Sequence, residues 1–226
     1  MVQDTPEPRS ISSPAQRRER RDAAAHRQRI LAAAQRLFAM HGVSQVSMHQ
    51  IAQAAGVGQG TLYRRYANKG ELCKALAHAQ HETFAKEVHS WLASDGAILP
   101  PMERLAGVLE RLLRFVLDGA ALLEEIALTE FRNGTCDMSC DPAEPPPGQE
   151  QWLDWMHALV GDLLGEAVTR GDIAPLDISF TADTILNALN PMLLHFYHLG
   201  RGYTHERILQ GLRHLYIEGL SERKDR

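Results

Sequence analysis

Residues 43–72 read VSQVSMHQIAQAAGVGQGTLYRRYANKGEL, and this stretch decides the fold. Ser47-Met48-His49-Gln50 is a Ser-x-x-Gln capping box, in which the hydroxyl and the amide satisfy two backbone donors that a first helical turn leaves orphaned. A short helix is expected to start there. Its apolar positions, Ile51, Ala52 and Ala55, lead to Gly56-Val57, where glycine permits a tight turn and valine can fill the crossing between two helices. A second short helix is expected over roughly Gly58 to Arg65. Asn68-Lys69-Gly70-Glu71 then caps a longer helix through Leu72, Leu76 and Phe84 to about Leu92. Two short helices joined by a glycine turn form a helix-turn-helix, whose second member is narrow enough to enter the major groove of B-DNA. As an ordinary packed pair the second helix would be badly composed, since Gly58, Gln59, Gly60 and Thr61 stabilise a helix poorly. Small side chains there suit a backbone that must approach something closely. Tyr63, Arg64 and Arg65 follow, an aromatic hydroxyl and two guanidinium forks matched to phosphate oxygens and to guanine O6 and N7.

Charge supports this reading once it is divided along the chain. The 226 residues carry 24 Lys and Arg against 28 Asp and Glu, a net charge of −4 that by itself suggests no polyanionic partner. Residues 1–70, however, hold eleven basic groups against four acids, a surplus of +7, which leaves −11 for the remainder. One part is suited to a polyanion and the other is not. Hydrophobic content of 44% and charged content of 23% exclude a wholly disordered chain and a collagen-like one. The longest apolar candidate, Ile185 to Leu199, is interrupted by Asn187, Asn190, Pro191, His195 and His198, so no membrane span is expected. The Pro-, Ser- and Arg-rich start lacks the apolar stretch of a secretory signal, and a cytoplasmic location is expected.

Residues 1–22, with Arg17-Arg18-Glu19-Arg20-Arg21 and little to bury, are expected to form a disordered basic arm. From Ala23, Ile30, Leu31, Ala34, Leu37 and Phe38 recur at helical spacing until Gly42 closes the helix. The helix-turn-helix domain is thus placed at 23–68 and a larger helical domain at 69–226. In the latter, Leu105 to Val116 and, after Gly119, Leu123 to Phe131 read as two amphipathic helices with a short joint. A turn-rich loop spans about 133–149, Trp152 to Ala167 mark another helix, and Phe180–Leu199 and Ile208–Leu220 the last two. No useful length alternates with period two. The expected fold is all-α, with about nine helices.

The order Ile51-Ala52, Ala55-Gly56-Val57, Gly60-Thr61-Leu62-Tyr63, Tyr66 and Lys69 resembles the DNA-binding domain of the tetracycline-repressor (TetR) family of bacterial regulators, over about Ile30 to Leu76. The resemblance places Gln59, Gly60, Thr61, Tyr63, Arg64 and Arg65 on a recognition helix, and Ser47 and Lys69 where the family grips phosphates from helix N-termini. Gly58 replaces a common Ser or Thr, so a cap is lost; Arg65 stands where His is frequent, which should raise salt sensitivity. The family also implies a homodimer through the last two helices, about 177–199 and 204–220. The first of these is apolar almost all round and needs cover on both sides. Resemblance and pattern together put a small-molecule effector site inside the C-terminal helices, with Leu109, Leu112, Phe115, Leu128, Phe131, Trp152, Trp155 and Met156 as candidate lining for a hydrophobic ligand. The long helix from Asn68 is the expected lever between the two functions.

Other motifs carry less. Gly56-x-Gly58-x-Gly60 lacks the strand that a nucleotide-binding loop follows, and His81-Glu82 has Ala85 where a zinc protease needs its second His. No catalytic residues, metal site or cofactor are expected, and the chain is not read as an enzyme. Cys136 and Cys140, flanked by Asp137 and Asp141, leave a redox or metal sensor on the same scaffold as one alternative. A helical interaction module without DNA binding is the other. The expected function is a ligand-responsive repressor that binds a palindromic double-stranded operator as a dimer.

Overall fold

The computed structural model describes residues 14–132 and 150–221, and every described element is helical. The chain divides into two compact units, Met1–Leu72 and Cys73–Arg226.

The first unit contains α1 (Pro14–His41), α2 (Met48–Ala55), α3 (Gln59–Arg65) and the opening of α4 (Lys69–Ala93). Helix α1 starts at Pro14, ahead of Ala23 where the sequence placed it, so residues 14–22 are helical rather than a disordered arm. Pro14 suits a first turn because its missing N–H would have no partner there, and the Arg and Ala residues after it are strong helix formers. The core consists of Ile30, Leu31, Ala34 and Phe38 from α1, Met48, Ile51, Ala52 and Ala55 from α2, and Leu62 from α3. Gly56 has φ 62° and ψ 39°, a left-handed conformation open to glycine at little cost, and it turns the chain from α2 toward α3.

The second unit contains the rest of α4, α5 (Pro101–Arg132), α6 (Glu150–Thr169), α7 (Ile178–Ala188), α8 (Pro191–His195), α9 (His205–Arg213) and α10 (Gly219–Ser221). A 3₁₀ turn at Asp95–Ile98 separates α4 from α5, and π-helical turns at Phe196–Gly200 and His214–Glu218 extend α8 and join α9 to α10. Phe84 and Val88 of α4, Leu105, Leu109 and Leu113 of α5, Met156, Val160 and Leu164 of α6 and Ile185 of α7 share one core. Trp91 packs on the backbone of α5: a Cβ on Gly107 would lie 2.3 Å from its ring. The Arg111 guanidinium covers the ring at 3.8 Å from its centroid.

Two expectations for this unit are corrected. Residues 101–132 form one helix, not two, because Gly119 stays helical between strong helix formers. Conversely, the single helix expected over 177–199 is broken after Ala188. Pro191 has no N–H to donate and its ring would clash with the carbonyl four residues back. Asn190 Oδ1 accepts instead from Met192 N at 3.0 Å and Leu193 N at 3.4 Å, starting α8 afresh. The expected 133–149 loop, with Cys136 and Cys140, and residues 1–13 of the expected arm lie outside the described residues.

Candidate nucleic-acid interface and effector cavity

The capping box at α2 is present: Gln50 N donates to Ser47 Oγ at 3.3 Å, and Ser47 N donates to Gln50 Oε1 at 2.8 Å. Ser47 is exposed at the head of that helix. Three residues separate α2 from α3, and the cap position of α3, Gly58, has no side-chain hydrogen bond. Thr61 N and Leu62 N donate to Gly58 O at 2.9 and 3.1 Å, so the backbone alone closes the first turn.

Helix α3 has two distinct faces. Leu62 is fully buried, with Tyr66 beside it in sequence register on the inner side, while Gln59, Gly60, Tyr63, Arg64 and Arg65 are exposed. Thr61 is half-buried. Among the described residues, nothing requires glycine at position 60. A Cβ there would meet no atom within 4 Å, and the backbone is not left-handed. Arg64 lies back along the helix, donating from Nε to Gly60 O at 3.2 Å and from Nη2 to Thr61 Oγ1 at 3.5 Å. The Gln59 side chain meets His49 of α2, a partner ten residues away that no local pattern announces. Lys69 Nζ, which the resemblance puts on phosphate, donates to Val43 O at 2.9 Å and to Ser44 O and Val46 O at 3.4 Å. Its ammonium therefore ties the α1–α2 connection to the start of α4, where Asn68 Oδ1 accepts from Glu71 N at 2.9 Å.

The second unit has a half-open cavity of about 640 Å³ between α5, α6 and α7. Of the candidate lining residues, Leu112, Trp152 and Met156 do line it. Trp155 joins Trp152 at a smaller pocket alongside, and Phe115 lines a third next to Phe84. Leu109 is fully buried core, Leu128 is exposed, and the Phe131 side chain lies outside the described residues. His81 on α4 lines the cavity too, and the sequence reading did not pick it out as a wall residue. Its ring stacks on Trp152 with centroids 4.3 Å apart and planes 9° apart. Burial, and secondarily the neighbouring His78, lower its pKa from 6.5 to about 4. At neutral pH it is an uncharged aromatic surface. Among the described residues no helix is long and apolar enough to cross a membrane, and no cluster of His, Cys, Asp or Glu could hold a metal ion.

Comparison with known proteins agrees with this arrangement. The profile of the family "Bacterial regulatory proteins, tetR family" matches residues 30–76, the residues that build the helix-turn-helix. HTH-type transcriptional regulators of Staphylococcus aureus strains bovine RF122 / ET3-1 and USA300 are 36% and 34% identical over 107 and 108 residues, in each case 46% of this chain and 55% of the relative. The chain thus spans about half the length of the curated relatives it matches. Among solved structures, a TetR/AcrR-family transcriptional regulator from Thermobifida fusca superposes with a TM-score of 0.59 at 18% identity, covering 85% of this chain and 97% of that one. The fatty acid degradation regulator FadR from Bacillus halodurans gives 0.56 at 20% identity, covering 85% and 98%. AibR in complex with isovaleryl coenzyme A and operator DNA gives 0.52 at 22%, covering 85% and 98%. Residues 30–76 thus match the DNA-binding domain of the tetR family of bacterial regulatory proteins, and the helical fold of the chain is similar to that of a TetR/AcrR-family regulator.

Proposed function

We propose that the protein is a transcriptional repressor that binds a palindromic DNA operator as a homodimer and releases it when a small hydrophobic molecule fills the cavity of the second unit. The observation that carries this is the outer face of α3: Gln59, Tyr63, Arg64 and Arg65 are exposed around a glycine that no internal contact demands. Gln59 and Arg65 supply base-edge and phosphate chemistry respectively, and Gly60 lets the backbone come close to the groove. The +7 surplus of residues 1–70 supplies counterion release. No catalytic role is assigned to any residue, and the site of action is the cytoplasm, where the DNA is.

Dimerisation is assigned to α7–α10. Phe180, Met192, Phe196, Leu199 and Leu215 are exposed there, with Met192 84% accessible, apolar side chains that a partner could cover. A two-fold dimer requires an operator with matching symmetry. Helix α4 carries the chain from one unit into the other without a linker, which makes it the element through which ligand and DNA can bias each other. The coupling must be reciprocal: a ligand that weakens DNA binding is itself weakened by DNA to the same factor.

Selection of bound duplexes from a random pool tests the reading. Enrichment of a palindrome, with affinity falling steeply as salt rises, is expected. Recovery of no preferred sequence would leave a helical interaction module as the better account.

A further inference from the structure

The cavity's walls differ in chemistry. Leu112, Val116 and Met156 make one side apolar and the stacked His81–Trp152 pair makes another flat and aromatic, while its polar lining includes the carboxylates of Asp154 and Asp183. No Lys or Arg is among the described lining residues. Three arginines of α5 are committed elsewhere. Arg104 pairs with Glu166, Arg114 with Glu110 at 3.1 Å, and Arg111 lies over Trp91. His157 Nε2 is held 3.4 Å from Asp183 Oδ1 and 3.3 Å from Ser179 O, so this imidazole and the Asp183 carboxylate already face each other.

We propose that the effector is a lipophilic aromatic cation, seated on the Trp152–His81 stack with its charge toward Asp154 and Asp183. This deepens the assignment of the cavity as an effector site and rests on it. An anionic ligand such as an acyl carboxylate or an acyl-coenzyme A would leave water facing two carboxylates, with no guanidinium or ammonium among the described lining residues to replace its hydration. A cation meets the opposite situation: the indole face attracts it, and the carboxylates offset the loss of its hydration shell. His81, neutral at pH 7 because burial depresses its pKa, adds aromatic surface without a repelling charge. The acidic balance of residues 71–226, 13 basic groups against 24 acids, acts in the same direction over longer range.

Two ions of equal size and shape but opposite charge make the test: tetraphenylphosphonium and tetraphenylborate, with isovaleryl coenzyme A as a second anion. Each is titrated into the full-length protein and followed by tryptophan fluorescence. The phosphonium is expected to bind about tenfold or more tightly than the borate, a selectivity worth about 1.4 kcal/mol. Replacing both carboxylates, Asp154→Asn with Asp183→Asn, should weaken the phosphonium about three- to tenfold and leave the borate unchanged or tighter. Both positions are exposed, so folding should survive, and circular dichroism checks it. Binding of either anion as tightly as the phosphonium, a selectivity indifferent to the double substitution, or no binding of the phosphonium at all would overturn the proposal. Operator binding by the same preparation without ligand separates the two readings. Its loss with the cation preference intact removes the repressor function alone, and its presence with no cation preference removes this proposal alone.

Discussion

Gly60 sits on the exposed face of α3 with an ordinary helical backbone and empty space where a side chain would begin. Gly60→Ala should therefore fold and gain about 0.5–1 kcal/mol in stability, since alanine loses less backbone freedom in a helix. The same change should reduce operator affinity about tenfold or more, because a methyl group would stand between backbone and groove. Thermal melts and fluorescence anisotropy on one variant check both halves; unchanged affinity would mean that the glycine serves no close approach. Arg65→Ala should weaken binding to all duplexes alike and lower the salt slope by about one, whereas Gln59→Ala should change which sequence is preferred. His81 supplies a pH dependence. Its folded pKa of about 4 lies below the ordinary 6.5, so the unfolded chain binds more protons between those values. Stability present above pH 6.5 is lost as the pH falls toward 4. Melting the wild type and His81→Phe across that range should show the steeper loss in the wild type. At this scale much was legible in the sequence: Ser47–Gln50 and Asn68–Glu71 are local pairings, with both partners within one turn. His49–Gln59 and the Lys69 carbonyl contacts were not, because they form only when α2, α3 and α4 come together.

Helix α5 holds two glycines with opposite consequences. Gly119 has open space around it, so Gly119→Ala should stabilise by about 0.5–1 kcal/mol. Gly107 supports the Trp91 ring, and Gly107→Ala should destabilise by about 1–3 kcal/mol through overpacking. Chemical denaturation of the two variants compares them in one experiment. The same pair explains what sequence reading lost at the level of elements. A glycine inside a periodic run looks like a joint, but an isolated one costs only about 1 kcal/mol, less than a helix of this length gains by packing. At Asn190-Pro191 the opposite error arose. The apolar run through Leu199 suggested continuity, while proline's missing donor and asparagine's cap outweighed it. The cavity lining was the least legible feature. Periodicity identifies which face of α5 or α6 is apolar, but not which part of that face is covered by α7 and which part is left open.

For the whole molecule, the exposed apolar side chains of α7–α10 form the face proposed above for pairing with a second copy of the chain. Phe196→Glu combined with Leu199→Glu should convert a dimer to a monomer in sedimentation while leaving the helical content intact, since both side chains are exposed in the single chain. Operator affinity should fall with it, because each half then binds alone and the gain from linked sites disappears. The boundary between the units falls between Leu72 and Cys73, within α4. Joining this N-terminal unit to a different C-terminal one is therefore a matter of helical phase. One residue added at the junction turns everything beyond it by about 100° and advances it about 1.5 Å, whereas three or four nearly restore the original heading. Functional chimaeras should consequently tolerate insertions at this point with a periodicity of about 3.6 residues rather than in proportion to their length.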